Sequence, residues 1–240
     1  MENASLKQID LLFNDLEIKT DENARLMMTE YVKILIKGMA KSRLTGERTS
    51  QGIIEKQLYD SLYPLKYINL ERARNLIDLG TGGGLPGIPI KIIRPDLIIT
   101  LLDSNRKKAL FLKEAIDTLG LKEVSVINKR AEEIAQEVEH REKYSYVFCR
   151  AVAKMAVLAE LALPLLTNGG EAVFYKGPGG EDELEKAEQA IATCGGVLKN
   201  VEHYSLKTGE VRKLYIIKKT KNTPGKYPRK PGVPGKKPIT

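Results

Sequence analysis

Residues 75–87 read NLIDLGTGGGLPG. Asn75 to Leu79 is a short apolar run that carries one acid, Asp78, and glycines then occupy positions 80, 82, 83, 84 and 87. An apolar run of this length bounded by glycine reads as a buried strand. Glycines directly after a strand let the backbone turn sharply and approach a ligand with no Cβ in the way. Amides at the start of a following helix favour a negative or polar ligand group. The stretch therefore predicts strand, bend and short helix, with a ligand at the bend. Gly82 to Gly87 also satisfies the GxGxxG spacing of dinucleotide sites, a pattern of weak specificity by itself.

Downstream the rhythm repeats. Short apolar runs at 75–80, 97–103, 124–129, 144–151 and 171–177 alternate with helical patterning at 105–119, 131–139, 154–166 and 182–193. Near-continuous apolar strands alternating with helices predict a parallel sheet covered on both faces. Two last runs, 197–206 and 211–219, are separated by only Lys207 to Glu210, which suits a hairpin. The expected sheet has five parallel strands finished by an antiparallel pair.

Upstream the chain reads as helices. Leu6, Ile9, Leu12, Phe13 and Leu16 recur at helical spacing. A second helix is expected after Thr20, with Asp21 and Glu22 in its first turn and Leu26, Met27, Tyr31, Ile34 and Leu35 on one face. Ser50 reads as the N-cap of a third helix that Pro64 helps to end. The expected division is a helical extension over 1–70, a ligand-binding α/β domain over 71–217 and a tail over 218–240.

Composition excludes several classes. The 240 residues are 42% hydrophobic and 29% charged, as in ordinary globular proteins. No run approaches the length of a membrane span, and the first residues lack the basic start and apolar centre of a signal peptide. Two cysteines and two histidines cannot build a disulfide framework or a zinc ribbon, so no metal site is expected. The expected compartment is the reducing cytoplasm.

The net charge of +8 comes entirely from the tail, whose eight lysines and arginines face no acid. Five prolines and three glycines keep that tail out of helices and central strands. Uncompensated cations on an extended segment attract phosphate backbones, and Tyr227 among them would stack on a base. The plainer alternative is a disordered, solvated tail. In either case its removal is expected to leave the cofactor site intact.

Three features at the bend favour S-adenosylmethionine (SAM) over a nicotinamide dinucleotide. Asp78, just before the first glycine, would attract the cationic amino end of an amino-acid-bearing cofactor and repel a pyrophosphate. The Gly80-x-Gly82-x-Gly84 spacing is tighter than the dinucleotide loop. A closing antiparallel pair looks like the class I SAM-dependent methyltransferase fold, a Rossmann-like seven-stranded α/β sheet, here with an N-terminal helical extension. Asp103, ending the second strand, would accept hydrogen bonds from the ribose hydroxyls; the alternative is that it, or Ser104, caps the helix at 105. Backbone groups of Ala131 and Glu132, at the third strand end, would read the adenine, unless Glu132 merely complements a helix dipole. Arg150 ends the fourth strand, where the crevice of an open sheet lies, and would pair with the cofactor carboxylate or hold the substrate backbone. Cys149 lacks a visible activating histidine and reads as a small buried residue. Lys176, ending the fifth strand, is expected to face the same crevice.

DLGTGGGLPGIPIKIIRPD (78–96), LLDSNRKKALFL (101–112), RAEE (130–133), FCRA (148–151) and the tail run KYPRKPGVPGKKPI (226–239) together resemble the RsmG, or glucose-inhibited division protein B, family. Members methylate guanine N7 in 16S ribosomal RNA with SAM. The resemblance spans nearly the whole chain, and LPGIP after the glycines is its most specific part. It implies cofactor contact at Gly80, Leu85, Ala131, Glu132 and Arg150, to which the residue reading adds Asp78, Gly82, Gly84 and Asp103. Three positions depart from the family pattern: Arg43 before Leu44-Thr45, Gln57 upstream of Asp60-Ser61-Leu62, and Cys149 before the arginine.

The implied chemistry suits the residues. Guanine N7 offers an in-plane lone pair and bears no proton, so no general base is expected and no side chain is assigned as catalytic. Positioning, by Arg150 above all, carries the rate. Unpairing the guanine would expose N7 and allow stacking, for which Tyr63 and Tyr175 are candidates. The expected partner is 16S rRNA or the small-subunit particle, with the chain a monomer. The alternative function is SAM-dependent methylation of another RNA, a small molecule or a protein. A nicotinamide-linked oxidoreductase would need a proton-relay pair; Tyr175 and Lys176 are adjacent on a strand and point to opposite faces.

Overall fold

The computed structural model describes residues 2–40, 44–71 and 73–240, so the Arg43 departure lies outside the described residues. Seven strands form one sheet: β1 (Asn75–Leu79), β2 (Ile98–Leu102), β3 (Val124–Ile127), β4 (Tyr144–Arg150), β5 (Leu166–Lys176), β6 (Gly196–Ser205) and β7 (Val211–Lys219). Their order is β3-β2-β1-β4-β5-β7-β6. The first five are parallel, and β7 inserts antiparallel between β5 and β6. The expected five-plus-two arrangement is therefore the observed one. β1 sits centrally, its Asp78 in register with Leu101 of β2 and Phe148 of β4.

The helices are α1 (Glu2–Asp15), α2 (Glu22–Gly38), α3 (Ser50–Gly52), α4 (Tyr59–Leu62), α5 (Gly87–Ile93), α6 (Arg106–Leu119), α7 (Ala131–Ile134), α8 (Met155–Ala162), α9 (Gly180–Glu185), α10 (Glu188–Thr193) and α11 (Val233–Lys236). Successive strand residues feed opposite faces. Leu76 and Phe148 join a core with α1, α2, α5 and α6, whereas Ile77 and Cys149 join a second core with α7, α8 and α10. The N-terminal helices thus share one core with the sheet: Ile9, Leu12 and Phe13 of α1 and Met28, Tyr31 and Leu35 of α2 are buried in it.

Several local expectations shift. Asp21 is the N-cap of α2, accepting from the Ala24 amide at 2.8 Å, not a first-turn residue. The buried face of α2 holds Met28 and Val32, while Leu26 is 53% exposed. Thr49, not Ser50, caps α3. A π-helical stretch, Ile53–Leu58, links α3 to α4, and Pro64 lies inside the 3-10 turn Tyr63–Lys66 that follows. The helical run expected over 131–139 is only the single turn of α7, and the one over 182–193 is broken into α9 and α10. β5 starts at Leu166, earlier than its apolar run suggests.

The tail differs most. Lys218 and Lys219 still belong to β7. Lys219 is buried, its ammonium donating to Leu163 O at 2.6 Å and pairing with Glu142 at 3.3 Å. Beyond it the chain folds back over α7 and α8. The Arg141 guanidinium donates to the carbonyls of Thr223 and Tyr227, both at 2.8 Å. Arg229 forms a bidentate pair with Glu160, a residue with no exposed surface. The tail is a docked strap and not a disordered arm, because polar partners on the body satisfy the backbone groups that its prolines and glycines leave out of secondary structure.

Candidate cofactor crevice

Asp78, Asp103 and Arg150 come together at the carboxyl ends of the neighbouring strands β1, β2 and β4. Asp78 is fully buried there. Its Oδ2 accepts from Thr81 Oγ1 at 2.6 Å and from the Gly87 amide at 2.8 Å, so one carboxylate oxygen ties both ends of the glycine bend. Its Oδ1 is buried and has no partner. Burial pushes the carboxyl up to about 6, against the lowering effects of the Thr81 and Gly87 hydrogen bonds and the Arg150 charge. A buried acid with an unmatched oxygen favours a cation brought to it.

The bend needs its glycines. Gly80, Gly82 and Gly84 have φ of +72°, +61° and +98°, conformations strained for L side chains. A Cβ at Gly80 would also meet Val152 Cγ2 at 2.6 Å. The Gly80 and Thr81 amides donate to Leu102 O at 2.8 and 3.0 Å, fastening the bend to β2. The buried Tyr31 hydroxyl of α2 donates to Gly83 O at 2.8 Å, so the helical N-terminus also fixes the loop. Leu85 is buried, and its amide donates to Thr81 O at 3.0 Å.

Asp103 follows β2. Its Oδ2 accepts from the Gly82 amide at 3.0 Å and its Oδ1 from the Asn105 amide at 2.8 Å, with Lys108 Nζ 3.7 Å away. Neither Asp103 nor Ser104 caps α6; Asn105 does, accepting from the Lys107 and Lys108 amides. Asn128, at the end of β3, donates to Asp103 O at 2.8 Å. Sequence reading missed Asn128, which meets Asp103 only through the parallel β2–β3 register, and it assigned no role to Lys108, which reaches Asp103 from the first turn of α6.

Ala131 is buried at the start of α7, with Glu132 beside it. The acid that accepts from the Arg130 amide is Glu133, at 2.8 Å. Glu132 instead turns outward, its Oε1 accepting from the Gly232 amide of the strap at 3.0 Å.

Arg150 ends β4. Its Nη1 donates to Asp60 Oδ2 at 3.1 Å and Gln57 O at 3.3 Å, and its Nη2 donates to Gln57 Oε1 at 2.7 Å. Asp60 in turn accepts from the Tyr204 hydroxyl at 2.5 Å. The structure thus joins Asp78, Asp103, the glycines and Arg150 around one set of strand ends. Lys176 does not join them: its ammonium donates to Ala153 O at 2.6 Å and pairs with Glu183 at 2.7 Å. Tyr175 is buried, its hydroxyl on Ser61 O at 3.2 Å, and so has no ring face for a base. Tyr63 already stacks on Tyr204, with ring centroids 3.9 Å apart. Cys149 is buried, and burial pushes its thiol up.

A glycine bend after β1, acids at the ends of β1 and β2, and a β5-β7-β6 edge define the class I SAM-dependent methyltransferase fold. Solved structures share it: a putative O-methyltransferase from Klebsiella pneumoniae (TM-score 0.54, 13% identity, 87% of this chain and 95% of that chain). TYW2 from M. jannaschii, in complex with AdoMet, is similar at TM-score 0.54 and 17% identity over 72% of this chain and 79% of its own. Within that class the chain belongs to the rRNA small subunit methyltransferase G (GidB) family, whose model matches residues 25–214. Ribosomal RNA small subunit methyltransferase G of Desulforamulus reducens is 43% identical over 94% of both chains. That of Pelotomaculum thermopropionicum is 45% identical over 88% of both.

Proposed function

We propose that this chain transfers a methyl group from SAM to N7 of a guanine in 16S ribosomal RNA. The observation that carries the cofactor reading is Asp78 Oδ1, a buried carboxylate oxygen left without a partner beside a glycine cradle. Bound SAM supplies an electrophilic methyl on a sulfonium. The chain's own groups bind and orient. Asp78 receives the ammonium, with the backbone of Gly80, Gly82, Gly84 and Leu85 lining the approach. Asp103, already aligned by Gly82 and Asn105, accepts from the ribose hydroxyls. Backbone groups of Ala131 and Glu132 meet the adenine. Arg150, held by Gln57 and Asp60, keeps N–H groups for the cofactor carboxylate or the substrate backbone.

No residue is asked to remove a proton, because N7 has none to lose. Rate comes from holding the lone pair in line with the methyl, a proximity and orientation effect. In this reading residues 71–217 perform the transfer, residues 1–70 brace the crevice, and residues 218–240 add the charge that attracts rRNA. Among the described residues no helix is long and apolar enough to cross a membrane. We place the protein in the cytoplasm, acting as a monomer on rRNA or the small-subunit particle.

The test is tritium transfer from labelled SAM to small subunits and to free rRNA from a strain lacking the modification. Counts in 16S rRNA are expected. Tight SAM binding with no counts in rRNA would move the function to another acceptor.

A further inference from the structure

The strap touches the α7 turn that follows β3. We infer that residues 222–240 hold the Ala131–Glu132 turn in the geometry the cofactor needs, so that SAM affinity depends on the strap. This rests on the reading of that turn as the adenine contact.

A one-turn helix does not hold its own shape; isolated helices need roughly 12–15 residues to be even marginal in water. α7 has four. Ala131, Ile134 and Ala135 pack it inward on the sheet. Glu133 caps the turn locally at the Arg130 amide, while Glu132 and, just beyond the turn, Gln136 reach the strap. Gly232 N donates to Glu132 Oε1 at 3.0 Å, and Gln136 Nε2 donates to Pro228 O at 2.9 Å. One Arg141 nitrogen, Nη1, donates both to Ala135 O at 3.0 Å and to Tyr227 O at 2.8 Å, stitching the end of the turn to the strap.

The strap is itself anchored from below. The Arg229 amide, Nε and Nη2 all donate to the buried Glu160 carboxylate of α8, at 2.8, 2.9 and 2.6 Å. Arg229 Nη2 also donates to Lys237 O at 2.7 Å, which closes the strap on itself beside Gly232. The path from a buried acid to the Glu132 side chain is therefore continuous: Glu160, Arg229, the closed strap, Gly232, Glu132. Arg229 and Glu132 act in it as positioning residues, through the turn and not by touching the reacting atoms.

The test is calorimetric titration of SAM into the full chain, together with amide hydrogen exchange over residues 131–134. In the unaltered protein SAM should protect those amides. Glu132→Ala keeps the backbone and removes only the link to Gly232; we expect SAM affinity to fall about fivefold or more, the lower end of ordinary coupling between sites. Faster exchange at 131–134 should accompany it. Glu132→Gln, which keeps an acceptor, should restore both. Because Arg229→Ala strands a buried carboxylate, the second variant is the double Arg229→Met, Glu160→Gln, which removes the pair without leaving a charge; it should weaken SAM similarly. Wild-type affinity and exchange in Glu132→Ala and in the double variant would overturn the inference. If SAM binds the unaltered protein yet leaves 131–134 unprotected, the reading of the turn fails instead.

Discussion

The carboxylate of Asp60, on α4, lies 3.1 Å from the Arg150 guanidinium at the end of β4, ninety positions away in the chain. Both side chains are largely buried, at 9% and 13% exposure. The pair joins the N-terminal helices to the crevice. Removing one partner of such a pair leaves the other charge uncompensated, which costs about 3–5 kcal/mol. Asp60→Ala should therefore lower the unfolding free energy by about 3 kcal/mol, read by urea denaturation, and reduce methyl transfer. Tyr204→Phe, which removes only the hydroxyl donated to the buried Asp60 carboxylate, should cost about 1.5–3 kcal/mol.

Asp78 gives a pH signature. Its carboxyl is raised by burial to about 6 in the fold, from an ordinary value of 3.8. The protonated form is thus favoured by folding. The stability it contributes is complete below pH 3.8 and is lost as pH rises through about 6. SAM binding has the opposite slope, because the ammonium needs the ionised form. Between pH 5 and 7 the ionised fraction rises about tenfold, and SAM affinity measured by calorimetry should rise with it. Asp78→Asn should abolish that rise.

Gly87 couples the bend to the same acid. A Cβ there would run into Leu101 Cδ2 and lie 3.0 Å from Asp78 Oδ2, displacing the carboxylate that the Gly87 amide now holds. Gly87→Ala should cost about 1–3 kcal/mol of stability from overpacking and weaken SAM by more than tenfold, checked by thermal unfolding and titration.

The strap's exposed lysines should act on RNA alone. Lys230, Lys236 and Lys237 are exposed and form no side-chain contact with the Glu132 or Glu160 carboxylates. Replacing all three with alanine should flatten the salt dependence of RNA binding, by about 0.7 in log–log slope for each phosphate no longer neutralised. SAM affinity should stay as it was. Weaker SAM binding in this variant would show that charge, and not the strap's hydrogen bonds, acts on the crevice.

Much of this was legible in the chain. The strands at 75–79, 98–102 and 144–150 stand out because both faces of a parallel sheet are buried, so nearly every residue is apolar. Asp78 is conspicuous because an acid interrupts such a run. The partners of Arg150 were not legible: Gln57 and Asp60 come from a helical segment whose docking only the fold decides. Helical spacing alone puts Leu26 on the inward face because it tolerates a neighbouring face, yet Met28 fills the core. The strap was hidden for a different reason. Its composition resembles disorder, and what orders it is a set of backbone carbonyls and amides meeting Arg141, Gln136 and Glu132, which leave no pattern in sequence.

The most direct measurement is chemical mapping of the product. Small-subunit rRNA from a strain lacking the modification is incubated with the protein and SAM, reduced with borohydride and cleaved with aniline. The account predicts a new break at one guanine of 16S rRNA, dependent on SAM and abolished by Asp78→Asn. Methyl label in the rRNA without an aniline-sensitive guanine would contradict transfer to N7.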